Sequence, residues 1–208
     1  MPKPETTKLL MSNALKKLAT TKHIDKISIN EIVEEASLNR QTFYYHFLDK
    51  QELICWTYDA DTSKLMIGKD ATQLSAVIEY IYSEKEFYRS AFTSEAQNGL
   101  REHFYKKCYT NCTKEVQAVL GNRKMKEGTL LQLAHFFAHA VTDCMVNWAR
   151  TGTDDHLPQL LREHEMFVSA LIKYSVDYCV EQDSQVVHKN AIGNSYDLSE
   201  DVALASQF

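Results

Sequence analysis

Between Ser28 and Glu52 the chain announces the start of a helix three times. Ser28 stands three residues before Glu31, Asn39 directly precedes Arg40-Gln41-Thr42, and Asp49 stands three residues before Glu52. Ser, Asn and Asp at such positions accept hydrogen bonds from amides that a helix start leaves unpaired, and a Glu three residues on can reach back to the cap. A strand has no use for this punctuation, so the region is expected to fold as short helices joined by tight turns. Ile29, Ile32, Val33 and Ala36 give the first of these helices an apolar face, and it should end near Ala36-Ser37. Phe43 and Phe47 share one face of the second, with Gln41 and Tyr45 nearly opposite. Leu53, Ile54 and Trp56 lie on the third. Ahead of them, residues 6–22 repeat Leu10, Ala14, Leu15 and Leu18 at helical spacing, with Lys8, Lys16, Lys17 and Lys22 off that stripe. Residues 6–50 therefore predict three short helices, the last two in a helix-turn-helix arrangement.

The remainder reads as longer helices. Six glycines and three prolines in 208 residues suit an all-α fold far better than a sheet, which needs many turn residues. Helices are expected over 72–83, 85–92, 95–120, 127–151 and 157–181. The short TGTDD loop should make the last two antiparallel neighbours. Residues 183–208 lose the periodicity and read as a mobile or loosely docked tail. The expected division is 1–56, 57–182 and 183–208. No apolar run reaches membrane-spanning length, and MPKPETTKLL does not open a signal peptide. Five cysteines without a small-domain disulfide pattern suggest reduced thiols and a cytoplasmic protein. Residues 1–50 carry eight Lys and Arg against six Asp and Glu, whereas the rest carry fifteen against twenty-two. A slightly basic module on an acidic body suits contact with a polyanion at one end only.

The stretch NRQTFYYHF, residues 39–47, has the makeup of a recognition helix. Phe43 and Phe47 can anchor it. Arg40, Gln41 and Thr42, in its first turn, can reach bases, and Tyr44, Tyr45, His46 and then Lys50 can reach the flanking backbone. The whole run SINEIVEEASLNRQTFYYHFLDKQELI resembles the DNA-binding domain of the TetR family of bacterial regulators. The resemblance rests on the cap Ser28, the Leu38-Asn39 pair, the block Thr42 to Phe47, and Asp49-Lys50 followed by Glu52-Leu53. It implies that Arg40, Gln41, Thr42, Tyr44 and Tyr45 touch bases or nearby backbone. It likewise implies phosphate contacts for Ser28, His46 and Lys50, with Asn39 heading the helix. Ser37 departs from the family, which usually has Gly at that turn. Farther on, SEKEFYRSAF, LREHFYKK and NWARTGT are similar to the branch containing activators of dihydroxyacetone kinase operons. That similarity implies a helical effector-binding and dimerisation domain but transfers no ligand.

These readings converge on an expected homodimer that binds a palindromic double-stranded DNA operator and is switched by a small effector, without cofactor, membrane or enzymatic activity. No HExxH, GxSxG, P-loop or GxGxxG motif is present. A protein partner in place of the small effector is one alternative. Another is a zinc switch. Cys108 and Cys112 are four apart on one expected helix, and His135 and His139 are four apart on another. Each pair could offer two ligands to a tetrahedral ion if the two faces met. The many aromatics of residues 80–148 are expected mainly to fill a core, with some available to line a cavity.

Overall fold

The computed structural model describes residues 4–63, 65, 72–151 and 168–183, and every long element among them is helical. The order is α1 (Pro4–Ala19), a 3-10 turn (Ile24–Lys26), α2 (Ile29–Glu35), α3 (Arg40–His46), α4 (Lys50–Thr62), α5 (Thr72–Ser83), α6 (Lys85–Phe92), α7 (Leu100–Leu120) and α8 (Glu127–Thr151). Residues 168–183 form a further helix, α9. The fold is all-α, with a helix-turn-helix unit leading into a larger helical body.

The caps act as their chemistry dictates. The Ser28 hydroxyl accepts from the amide of Glu31, while the Glu31 carboxylate accepts from the Ser28 amide at 2.8 Å. Asn39 accepts from the amide of Thr42 at 2.8 Å, and Asp49 from the amide of Glu52 at 2.8 Å. The Glu52 carboxylate reaches one residue farther back than a capping box requires, to the amide of Leu48 at 2.6 Å. Helix α1 stops at Ala19, short of the expected Lys22. The hydroxyls of Thr20 and Thr21 bond back to the carbonyls of Lys17 and Leu18 there, which favours a turn over another helical residue.

The turn between α2 and α3 hinges on Ser37, whose φ is +54°. This is the left-handed region, which costs an L-residue with a Cβ about 1 to 2 kcal/mol and costs glycine nothing. The amide of Leu38 closes the turn on the carbonyl of Val33 at 2.7 Å. Ser37→Gly is expected to stabilise the chain by about 0.5 to 1 kcal/mol, read as a raised urea midpoint at unchanged slope. A lowered midpoint would show that the serine hydroxyl matters more than the backbone.

One core runs through both parts of the molecule. Met11, Leu15, Ile24, Ile27, Ile32, Phe43, Leu53 and Ile54 are buried together in the first four helices. The same cluster continues through Tyr58, Phe87, Tyr88, Phe92 and Phe104 into α6 and α7. Helix α4 belongs to both parts, so the division expected at residue 56 falls inside a continuous helix. At this junction the Lys16 ammonium lies 2.6 Å from Asp61 and donates to the Tyr80 hydroxyl at 3.0 Å, while Tyr88 donates to Asp61 at 2.7 Å.

A second core joins α7, α8 and α9 through Cys112, Val116, Ala134, Phe137, Ile172 and Val176. Lys126, just ahead of α8, pairs with Asp183 at the far end of α9, as antiparallel neighbours require. The TGTDD loop beyond Thr151, the first part of the helix expected from 157, and the expected tail beyond residue 183 lie outside the described residues. Helix α7 begins at Leu100 instead of residue 95. Asn98 adopts φ +55° and Gly99 caps the helix with extended backbone, so residues 93–99 form a loop. A Cβ at Gly99 would stand 3.1 Å from the carbonyl of Ala96, tighter than most side chains tolerate.

Candidate nucleic-acid interface

The geometry of α3 follows from its two anchors. Phe43 is fully buried and Phe47 nearly so, their rings 5.8 Å apart, and Phe47 meets Trp56 of α4 edge-on at 5.9 Å. Pinning one face this way turns the opposite one to solvent. Gln41 is exposed, Tyr44 is half exposed, and Tyr45 is 81% exposed, the most exposed aromatic ring among the described residues. Such a helix offers donors and acceptors to base edges without having to unfold.

The sequence-derived contact residues fall into two groups. Gln41 and Tyr45 stand on the outward surface, and His46 is half-buried beside them, its ring in edge contact with Tyr45 at 4.9 Å. Arg40 is held ready: its guanidinium donates to Asn30 of α2 at 3.4 Å and to the Tyr44 hydroxyl at 3.2 Å, and lies 5.5 Å from the centre of that ring. Asn39 and Thr42 are tied to each other, the Thr42 hydroxyl donating to the Asn39 side chain at 3.0 Å.

The second group is engaged within the fold. Ser28 donates its hydroxyl to Glu31 at 2.8 Å. Glu31 in turn is held at a pKa of about 2, by its hydrogen bond from Lys22 first and those from Ser28 next. Lys50 departs furthest from expectation. Its ammonium sits on the carbonyls of Ile24, Asp25 and Ile27 at 2.6, 3.3 and 2.7 Å. An ammonium has three N–H donors, and all three are placed. Burial pulls its pKa below the ordinary lysine value, with the Asp25 and Glu31 carboxylates acting against that. Lys50 therefore ties the 3-10 turn to the start of α4 and, in this arrangement, has no N–H left for a phosphate.

Two further features had no place in the sequence reading. Leu48, in the turn after α3, is 83% exposed beside the outward face. The Lys8 ammonium lies 5.8 Å from the Phe47 ring and 5.6 Å from the Trp56 ring, which brings a cation from α1 to the edge of the same surface. The off-stripe position of Lys8 was legible, but its destination depends on how α1 crosses α4.

The alternative metal centre does not assemble. Cys108 and Cys112 face inward and are buried, their thiols pushed up to about 12 and about 11 chiefly by burial. His135 and His139 face outward on α8. His135 bonds to the Tyr105 hydroxyl and stacks on Tyr109 at 4.2 Å, and His139 lies 4.5 Å from the Tyr105 ring. Spacing of four places each pair on one face, but the two faces point to opposite surroundings. Among the described residues no group of three or more His, Cys, Asp and Glu side chains could hold a metal ion.

Comparison with known proteins agrees with this geometry. A family model described as bacterial regulatory proteins, tetR family, matches residues 13–54. Another, described as transcriptional regulator C-terminal region, matches residues 71–169. The HTH-type dhaKLM operon transcriptional activator DhaS of Lactococcus lactis subsp. lactis (strain IL1403) is 26% identical over 110 residues, 50% of this chain. The match spans 57% of that relative's own length. A solved structure of the dihydroxyacetone kinase operon activator DhaS superposes with a TM-score of 0.62, covering 83% of this chain and 97% of that one at 18% identity, a likeness of fold.

Proposed function

The chain belongs to the TetR family of bacterial transcriptional regulators, and from that premise we propose that it is a homodimer whose DNA affinity is switched by an effector bound in its C-terminal helices. The observation that carries the DNA side of this reading is the outward face of α3. Gln41 and Tyr45 stand exposed there, with His46 half-buried beside them, over a core that fixes the helix. Residues up to the middle of α4 read DNA, and the rest pairs the two copies and senses the effector. Among the described residues no helix is long and apolar enough to cross a membrane. That is consistent with the proposed cytoplasmic location beside the operator.

Gln41→Ala is expected to lose about 1 to 3 kcal/mol on the operator and to relax sequence preference at one position in each half-site. Titration of operator and scrambled duplexes at several salt concentrations reads both effects. Equal losses on both duplexes would assign Gln41 to the backbone, and no loss on either would remove α3 as the reading head.

Dimerisation is supported by Phe136 on α8 and by Leu171, Tyr174 and Tyr178 on α9, large apolar side chains that a single chain leaves exposed. Two α8–α9 pairs facing across a twofold axis would form a four-helix bundle. The twofold would set two α3 helices about 34 to 36 Å apart, the separation of successive major grooves on one face of DNA. Tyr174→Asp is expected to give monomers in sedimentation, with operator affinity reduced far more than affinity for a half-site. An unchanged dimer would place the interface elsewhere.

A further inference from the structure

A groove of about 640 Å³ lies between the 93–99 loop and the outward side of α8. Arg101, Tyr105, His139 and Arg150 line it, together with Glu95 and Asp143. The charges are not equally occupied. Arg101 faces Asp143 at 3.4 Å, and Glu102, at the rim, is paired with Lys106 at 2.9 Å. Among the described residues, Arg150 has neither a hydrogen-bond nor an ion-pair partner, and the Glu95 carboxylate has none either. The wall with the unmatched cation is thus α8, and the wall with the unmatched carboxylate is the loop.

The other side of the same loop grips the DNA-binding helices. Ser94 donates to the Asp25 carboxylate at 2.5 Å, the Glu95 amide points to its second oxygen at 3.4 Å, and Thr93 meets His23 at 3.2 Å. Just behind, the Ser90 hydroxyl accepts from the buried amide of Ile24 at 2.6 Å. The loop's far end meets α4, where the Cys55 thiol lies 3.7 Å from the carbonyl of Asn98. The turn that this loop holds, residues 24–27, is the one Lys50 grips through three carbonyls from the other side, a few residues from α3.

We propose that the groove binds a small anion, a carboxylate or a phosphate ester, and that its occupancy reaches the DNA-binding helices through the Ser94–Asp25 contact. This rests on the effector-switched reading above and names its site. The anion pairs with Arg150 and competes with Asp143 for Arg101. Its charge repels the unpartnered Glu95 carboxylate. Displacing Glu95 withdraws that residue's amide and the neighbouring Ser94 hydroxyl from Asp25. The 24–27 turn then loses its hold through Asp25, keeping Ser90 on Ile24 and Lys50 on its carbonyls, and the DNA-binding helices become less firmly set relative to the body. Occupancy therefore lowers operator affinity, by the difference in the anion's affinity for the two arrangements.

Inorganic phosphate and succinate are the probes, each titrated into the full-length protein by calorimetry with ionic strength held constant by chloride. Operator binding is measured in parallel, because salt alone weakens it. The expected result is saturable binding of one probe, weakened at least about tenfold by Arg150→Ala, and operator affinity lowered about fivefold or more at saturation. Whichever probe binds identifies the ligand class. Asp25→Ala and the milder Asp25→Asn lie outside the groove, and both are expected to bind the probe normally while operator affinity no longer responds to it. No saturable binding of either probe, or binding indifferent to Arg150→Ala, overturns the site. Binding that leaves operator affinity unchanged, or an operator response that survives in both Asp25 variants, overturns the relay. A protein that binds the anion but no DNA under any condition would instead sink the regulator reading and leave the site standing.

Discussion

Phe43→Ala is expected to unfold the DNA-binding helices at temperatures where α7 and α8 remain folded. Phe43 is wholly buried, in edge contact with the Tyr44 ring at 5.5 Å and tilted against Phe47 at 5.8 Å. Removing a fully buried phenylalanine costs about 3 to 5 kcal/mol, a large part of the total stability of a domain of this size. Helices α2 and α3 have seven residues each and cannot persist without tertiary contacts. Hydrogen exchange separates the outcomes. Amides of α2 and α3 should lose protection while those of the α7–α8 pair, held by Val116, Ala134 and Phe137, keep it. Equal loss throughout would show that the shared core makes the chain a single cooperative unit.

The second large effect belongs to the junction. Lys16 and Asp61 are 14% and 15% exposed and 2.6 Å apart, so each is largely withdrawn from water. Lys16→Met leaves the Asp61 carboxylate with tyrosine hydroxyls, Tyr88 at 2.7 Å and the neighbouring Tyr80, but without its cation. Breaking one side of such a buried pair costs about 3 to 5 kcal/mol, whereas Lys16→Met with Asp61→Leu together should recover most of it, because two fitted apolar groups need no partner. Denaturant midpoints of the two singles and the double test this as a cycle. Equal losses in the single and double variants would mean that packing, not the charge left behind, sets the cost. A pH series adds a check. Burial pulls the Lys16 ammonium down, but Asp61 and Tyr80 more than offset this, and its pKa ends above the ordinary 10.5. The stability it contributes is therefore fully present below about 10.5 and lost as pH rises through the higher folded value. The wild-type protein should lose stability more steeply than Lys16→Met in that alkaline window.

What was legible in the sequence was mostly local. A cap needs only its own side chain and an amide three residues on, so Ser28, Asn39 and Asp49 fixed three helix starts. The Phe43–Phe47 face needs only helical spacing, and the left-handed turn at Ser37 is where the family's usual glycine had pointed. What escaped depends on pieces distant in sequence. The destination of Lys50 depends on where the 24–27 carbonyls point once that turn packs beneath α4. The Cys108–Cys112 and His135–His139 faces were each real, but their mutual direction is a property of how α7 crosses α8. The 93–99 loop was missed although its signal was present, since Asn98-Gly99 is a strong turn dipeptide. Reading a helix straight through it hid the groove.

The inward set of the cysteines on α7 leaves a practical opening. Thiol-directed reagents attack the thiolate, and burial holds Cys55, Cys108 and Cys112 at about 11, about 12 and about 11, so at neutral pH these sulfurs are almost entirely protonated. Burial lifts the Cys179 thiol as well. Cys144, exposed on α8, is the accessible one. The unmodified chain thus carries a preferred attachment point for a spin label or fluorophore on the helix that also bears Phe136. In the proposed dimer, a pair of such labels would turn every change in how the two copies pack into a distance that can be read in solution.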